Sequence, residues 1–221
     1  MHIDNLIEMR NLTWGYPESA ILLFNHYNFS LKKGEFCVIM GKSGTGKSTL
    51  ARILTGEKSV GEKMVYHKHE DISKYSDEEM QTYRRKMGII FQDYKLIEYM
   101  TVKENIIYPL VLYGVGESII DAKYQKLQQK YNISHLEDLP VKFLSAGEKQ
   151  KVALARALIH DPEFIIADEP TGNLDWEHTQ TIGDLLIQSN QNGNTILLIT
   201  HDIHLVNYLK EKHPIRLEML G

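Results

Sequence analysis

The chain has 221 residues, 43% of them hydrophobic and 24% charged, which suits one soluble globular domain or one domain carrying an inserted lobe. Its 29 acidic and 25 basic residues leave a net charge of −4, which argues against a nucleic-acid backbone as partner, and the lone Cys37 excludes an intrachain disulfide. The longest apolar candidate, 106–113, is far shorter than the roughly 20 residues of a spanning helix and contains Pro109; Asp4 and Glu8 argue against a signal peptide, so any membrane role is expected to run through a partner.

A strand is predicted over 6–12, then a turn at Gly15-Tyr16-Pro17-Glu18. Tyr16 could stack on a base there, or simply pack locally. A second strand is expected over 21–29, a tight turn at Lys32-Lys33-Gly34, and a buried strand over 35–40 in which Cys37 acts as a small hydrophobe.

Gly41-Lys42-Ser43-Gly44-Thr45-Gly46-Lys47-Ser48 reads G-x-x-x-x-G-K-S between that strand and a helical pattern over 48–54. Glycines let consecutive backbone N–H groups curl round a polyphosphate where side chains would collide. The helix that follows adds unpaired N–H groups and the positive end of its dipole. Lys47 sets a point charge on the outer phosphates, and the Ser48 hydroxyl suits Mg²⁺, a hard cation that prefers oxygen. A plain glycine-rich turn has no use for the Lys-Ser pair.

Residues 56–77 are polar and read as a solvated hairpin or loop, and His67 and His69 have no further metal ligands near them in sequence. Ser76-Asp77-Glu78-Glu79 starts a helix that Arg84-Arg85-Lys86 ends. A buried strand over 87–91 leads into Gln92, at the carboxyl end where open parallel sheets bind ligands. Helical spacing then dominates 101–160, broken at Gly114 and Gly116, as an inserted lobe. Its last helix opens at Leu144-Ser145-Ala146-Gly147-Glu148, where Ser145 and Glu148 form a capping box that is a full structural explanation on its own. After the stop at Asp161-Pro162, an apolar strand ends in Asp168 and Glu169, an awkward pairing without a cation. The loop Gly172-Asn173-Leu174-Asp175, a helix over 176–189, a turn at Asn192-Gly193, a strand over 195–200 ending at His201, a last helix and a short strand over 215–219 complete the chain.

In that order, the phosphate loop, the glutamine after a strand, L-S-x-G-E, the Asp-Glu strand, the N-L-D loop and the strand-end Thr-His resemble an ABC ATPase over essentially the whole chain. Phe91-Gln92-Asp93-Tyr94-Lys95-Leu96, the run from Asp168 through Pro170 to Asp175, and Thr200-His201-Asp202 are similar to the cell-division ATPases of that family, the FtsE type, and less closely to its lipoprotein-releasing and macrolide-export ATPases. The resemblance implies an α/β fold: a P-loop NTPase core with a mainly parallel sheet, an N-terminal antiparallel β subdomain, and a helical lobe inserted at about 93–160 in a single domain over 1–221. It implies ATP and Mg²⁺, with Tyr16 on the adenine and Gly41, Lys42, Ser43, Gly44, Thr45, Gly46, Lys47, Ser48 and Thr49 on the phosphates. Ser48, Gln92 and, through water, Asp168 would surround the metal; Glu169 would polarise the attacking water, and His201 and Lys47 would steady the γ-phosphate. Ser145 and Gly147, with Glu148 beside them, would meet the γ-phosphate of a second copy, and Asp175 would help join the two sites.

The partner so implied is an integral membrane protein resembling FtsX, with the chain peripheral on the inner face of the cell membrane. Leu96, Ile97, Tyr99 and Met100 either seat that partner or pack inside the lobe. Two departures stand out: Ala146 occupies a position that is usually glycine and Lys151 one that is usually arginine, so binding is expected to survive and turnover to be slow. An ATP-gated scaffold and an exporter ATPase for lipoproteins or drugs remain as alternatives. The absence of N-K-x-D argues against a GTPase.

Overall fold

Three short strands with wholly apolar interiors form the middle of the molecule: β3 (Phe36–Met40), β7 (Phe164–Asp168) and β8 (Thr195–Thr200). Strands buried on both faces favour parallel pairing under covering helices, and they lie in a parallel sheet of order β6-β7-β8-β3-β9, flanked by β6 (Met87–Ile90) and β9 (Arg216–Met219). The computed structural model describes residues 5–18, 21–172 and 174–220; Asp4 and Asn173 of the N-L-D loop lie outside them.

Side chains alternate across this sheet with period two. Cys37, Ile39, Phe164, Ile166, Leu197 and Ile199 face one core, shared with α1 (Lys47–Leu54) and Tyr83 of α2 (Asp77–Arg84). Phe36, Val38, Ile165, Ala167, Ile196 and Leu198 face the other, shared with α3 (Val102–Leu112), α4 (Glu117–Tyr131), α5 (Ala146–Leu158), α6 (Trp176–Gln191) and α7 (Ile203–Lys212). The first core also takes the inner face of a separate antiparallel sheet, β2-β1-β4-β5, built from β1 (Asn5–Trp14), β2 (Phe24–Lys32), β4 (Val65–His67) and β5 (Glu70–Asp71). Helices α3, α4 and α5 lie between β6 and β7 in the chain. Among the described residues no helix is long and apolar enough to cross a membrane.

Local chemistry sets several element ends. Ser76, Thr101 and Ser145 each cap a helix in a reciprocal box with Glu79, Glu104 and Glu148. Pro109 sits inside α3, where it cannot donate to the Asn105 carbonyl. The Asn105 side chain is buried and ties down the preceding loop, binding both the N–H and the C=O of Ile97.

Two expectations shift. The second strand starts at Phe24, leaving Ile21 and Leu22 exposed, and it runs on through Lys32. The stretch 56–77 contains a largely exposed hairpin, but within it β4 pairs with β1 and His67 is buried against the Tyr83 and Phe164 rings. Three residues of strand are too few to show a period in sequence. His67 lies 3.5 Å from Glu163, yet burial is the larger influence and holds its pKa below the ordinary histidine value of 6.5. Histidine is then neutral in the fold while the unfolded chain protonates near 6.5, so this part of the stability is intact above that pH and lost as pH falls below it. Urea midpoints should therefore drop between about pH 7.5 and about pH 5.5, and His67→Phe should flatten the drop. A slope unchanged by the substitution would rule His67 out as its source.

Candidate functional site

The registers Met40↔Thr200 and Asp168↔Ile199 bring the carboxyl ends of β3, β8 and β7 out side by side. Whatever follows each strand therefore converges: the phosphate loop after Met40, Glu169 after Asp168, and His201 after Thr200. Their meeting place is a cavity of about 440 Å³ lined by Tyr16, Gly44, Lys47, Gln92, Glu169 and His201, with Leu23, Ser43, Gly46, Ser48 and Thr49 completing its wall.

The loop closes on itself through Lys47, which is 7% exposed. Its ammonium donates to the carbonyls of Gly41 and Lys42, each at 2.8 Å. An ammonium has three donors, so one is left for a ligand. Gly46 turns the loop into α1 with φ of 95°, and a β-carbon there would sit 2.7 Å from Leu23. Both the left-handed backbone and the close approach call for glycine. Thr45 spends its hydroxyl on the Lys42 carbonyl, so Gly41, Lys42 and Thr45 build the loop and do not line the cavity. Tyr16 packs locally and also borders the cavity. Its ring packs edge-on against Trp14 at 4.8 Å and its hydroxyl pairs with Thr49 at 3.0 Å, yet it stays 40% exposed on the cavity wall.

The two carboxylates differ. Ser48 donates to Asp168 at 3.2 Å; burial pushes the Asp168 carboxyl above the ordinary aspartate value, with the Ser48 hydrogen bond opposing and the Glu169 charge adding to the rise. Glu169 is only 8% exposed and is held from several sides. It accepts from the Thr200 hydroxyl at 3.1 Å and the His201 N–H at 3.3 Å, and its other oxygen lies 2.7 Å from His201 Nδ1 and 3.9 Å from Lys47. Its φ of 48° puts a non-glycine residue in left-handed backbone, a strain of roughly 1–2 kcal/mol met where a side chain must be aimed. Ser48 and Gln92 also border an adjoining cavity of about 520 Å³ that includes Asp168, Arg52 and Lys95.

Ser145, Gly147, Glu148 and Asp175 do not line the cavity that the other marked residues share. Ser145 and Glu148 are engaged in their capping box, Gly147 is buried, and Asp175 caps α6. Ala146 is the first residue of α5, in ordinary helical backbone.

Sequence reasoning missed two contributors. Thr200 holds Glu169, which only the strand register reveals. Arg156, on α5, donates to the carbonyls of Tyr94 and Lys95, two consecutive residues with φ of 59° and 48°, and so braces the loop that carries Gln92. Thr200 has a local signal only as part of the strand-end Thr-His, which does not tell its role, and Arg156 has none.

Residues 24–172 match the ABC transporter family. The chain is 32% identical to the cell division ATP-binding protein FtsE of Bacillus subtilis (strain 168), over 94% of this chain and 90% of that protein. It is 35% identical to FtsE of Streptococcus pneumoniae serotype 2 (strain D39 / NCTC 7466), over the same shares. The dimeric structure of a post-hydrolysis state of the ATP-binding cassette MJ0796, bound to ADP and Pi, superposes with a TM-score of 0.84 at 30% identity, covering 97% of this chain and 94% of that one.

Proposed function

The chain belongs to the ABC transporter family and is one of its ATPases, and from that premise we propose that it cleaves ATP between two copies of itself and passes their closure to a membrane-embedded partner. The observation that carries this reading is the division of the marked residues. Tyr16, the phosphate loop, Gln92, Glu169 and His201 share one cavity, while Ser145, Gly147 and Asp175 lie away from it at two capped helix starts. A helix N-terminus is a natural seat for phosphate, so the Ser145 tip is read as serving the nucleotide of the other copy.

In this reading Tyr16 stacks on adenine, and the N–H groups of the loop residues that line the cavity, Ser43, Gly44 and 46–49, hold the phosphates with the Lys47 ammonium. The edge around Ser48 is rich in oxygen donors, and Asp168, raised by burial, is a carboxylate that a cation would relieve. Such an edge fits a hard divalent ion of the Mg²⁺ kind. Ser48 and Gln92 would hold it directly and Asp168 through water, and it would neutralise phosphate charge. Glu169 orients the water that attacks the γ-phosphorus and draws off its proton as the β–γ bridging oxygen leaves with ADP. His201 turns Nδ1 toward Glu169, and its Nε2–H, when the ring carries hydrogen on both nitrogens, donates to the γ-phosphate.

The relatives named FtsE support a partner resembling FtsX, an integral membrane protein, with this chain on the inner face of the membrane. Leu96 packs into the lobe, but Ile97 and Tyr99 face outward. Separately, Phe91, Tyr108, Pro109 and Tyr113 line, with Lys95 and Arg156, a further cavity of about 370 Å³, and this mixture of apolar and charged residues suits an amphipathic segment of the partner.

The test is to size the Glu169→Gln protein with and without ATP. The mass should double with ATP and fall back when nucleotide is removed. A protein that binds ATP yet stays monomeric at every concentration would end the two-copy reading.

A further inference from the structure

His178 stands on the third position of α6, and its imidazole touches two elements at once. One edge faces Asp175: Nδ1 lies 2.8 Å from both carboxylate oxygens. A carboxylate only accepts, so the proton is on Nδ1 and the ring donates. The opposite edge lies against Gly147 of α5. A β-carbon at Gly147 would fall 2.3 Å from Cδ2 and 2.8 Å from Nε2, so the ring occupies the space a side chain there would need.

Capping does not account for this. Asp175 caps α6 by accepting from the main-chain N–H of residue 178, which any residue but proline supplies. An imidazole in the first turn of a helix is disfavoured whenever it is charged. The ring therefore adds something other than helix stability, and what it adds is a bridge between the Asp175 loop and the start of α5.

We propose that His178 is a positioning residue that locks Asp175 to the first turn of α5, so that Ser145, Gly147 and Asp175 meet the second copy as one rigid face. This rests on the two-copy reading above. It also gives Gly147 a second reason to be glycine, one internal to the chain: the ring packs directly on its α-carbon.

The experiment uses the full chain in the Glu169→Gln background, with His178→Ala removing both edges of the bridge and His178→Phe restoring only the ring against Gly147. Three quantities are read: hydrogen exchange at the Glu148 and Lys149 amides without nucleotide, the protein concentration at which ATP drives pairing, and the affinity of the single chain for ATP. In His178→Ala the two amides should exchange about tenfold faster, with β8 amides unchanged. The pairing concentration should rise about tenfold or more, because small misplacements are costly at assembled sites. Affinity for ATP should hold, since His178 does not line the cavity. His178→Phe should fall between His178→Ala and the parent. Unchanged exchange at Glu148 and Lys149 in His178→Ala overturns the proposal, as does faster exchange spread evenly through β8. Should the parent itself fail to pair with ATP, the two-copy reading falls, and the exchange result still decides whether His178 holds the two elements together.

Discussion

Replacing Lys47 with alanine should weaken ATP binding by about a hundredfold, the equivalent of about 3 kcal/mol for losing a charged donor at a buried site. Two effects add. The ammonium is the cation closest to Glu169 in the cavity, at 3.9 Å, so its removal leaves the incoming phosphates facing the carboxylate without compensation. It is also the brace of the loop, since its two hydrogen bonds to the Gly41 and Lys42 carbonyls set the curl that aims the backbone N–H groups inward. Lys47→Arg should fare almost as badly. A planar guanidinium cannot reproduce two short bonds to carbonyls on one side and a point charge on the other within a space that leaves lysine 7% exposed. Titration calorimetry with ATP reads the change directly. An affinity for either variant within about threefold of the parent would mean that the loop N–H groups and the helix dipole hold the phosphates without it.

What the sequence makes legible is local. The loop at 41–48 announces itself because its glycines, lysine and serine do their work within eight residues. The capping boxes at Ser76, Thr101 and Ser145 are four-residue devices, and the buried strands show as unbroken apolar runs. What the sequence hides is created by register and approach. Thr200 becomes the holder of Glu169 because β8 lies between β3 and β7. Arg156 reaches Tyr94 and Lys95 across the lobe, some sixty positions away in the chain. The left-handed turn at Glu169 is invisible because nothing in glutamate favours it; the surrounding bonds impose it. His67 misled for the reverse reason: its neighbours in sequence are polar, while its neighbours in space are Tyr83 and Phe164.

Glu169→Gln should lower turnover by about a thousandfold while leaving ATP binding intact or tighter, the span expected for removing a positioned general base. Glutamine keeps the shape and an oxygen that can still accept from the Thr200 hydroxyl and the His201 N–H. Its amide would face His201 Nδ1, which must then accept, so the imidazole proton moves to Nε2 and the ring stays in place. Binding is spared because the lost charge is one that repels phosphate, and Lys47 is freed from its only carboxylate neighbour in the cavity. Thr200→Val, which removes one hydrogen bond to the same carboxylate, should cost about tenfold in turnover, in line with a single hydrogen bond to a charged group. Single-turnover phosphate release separates the chemical step from nucleotide exchange. Retention of more than about a tenth of the parent rate by Glu169→Gln would mean that the γ-phosphate draws the proton from water itself. The strained backbone and the bonds that converge on Glu169 would then serve to hold His201 in place rather than to activate the nucleophile.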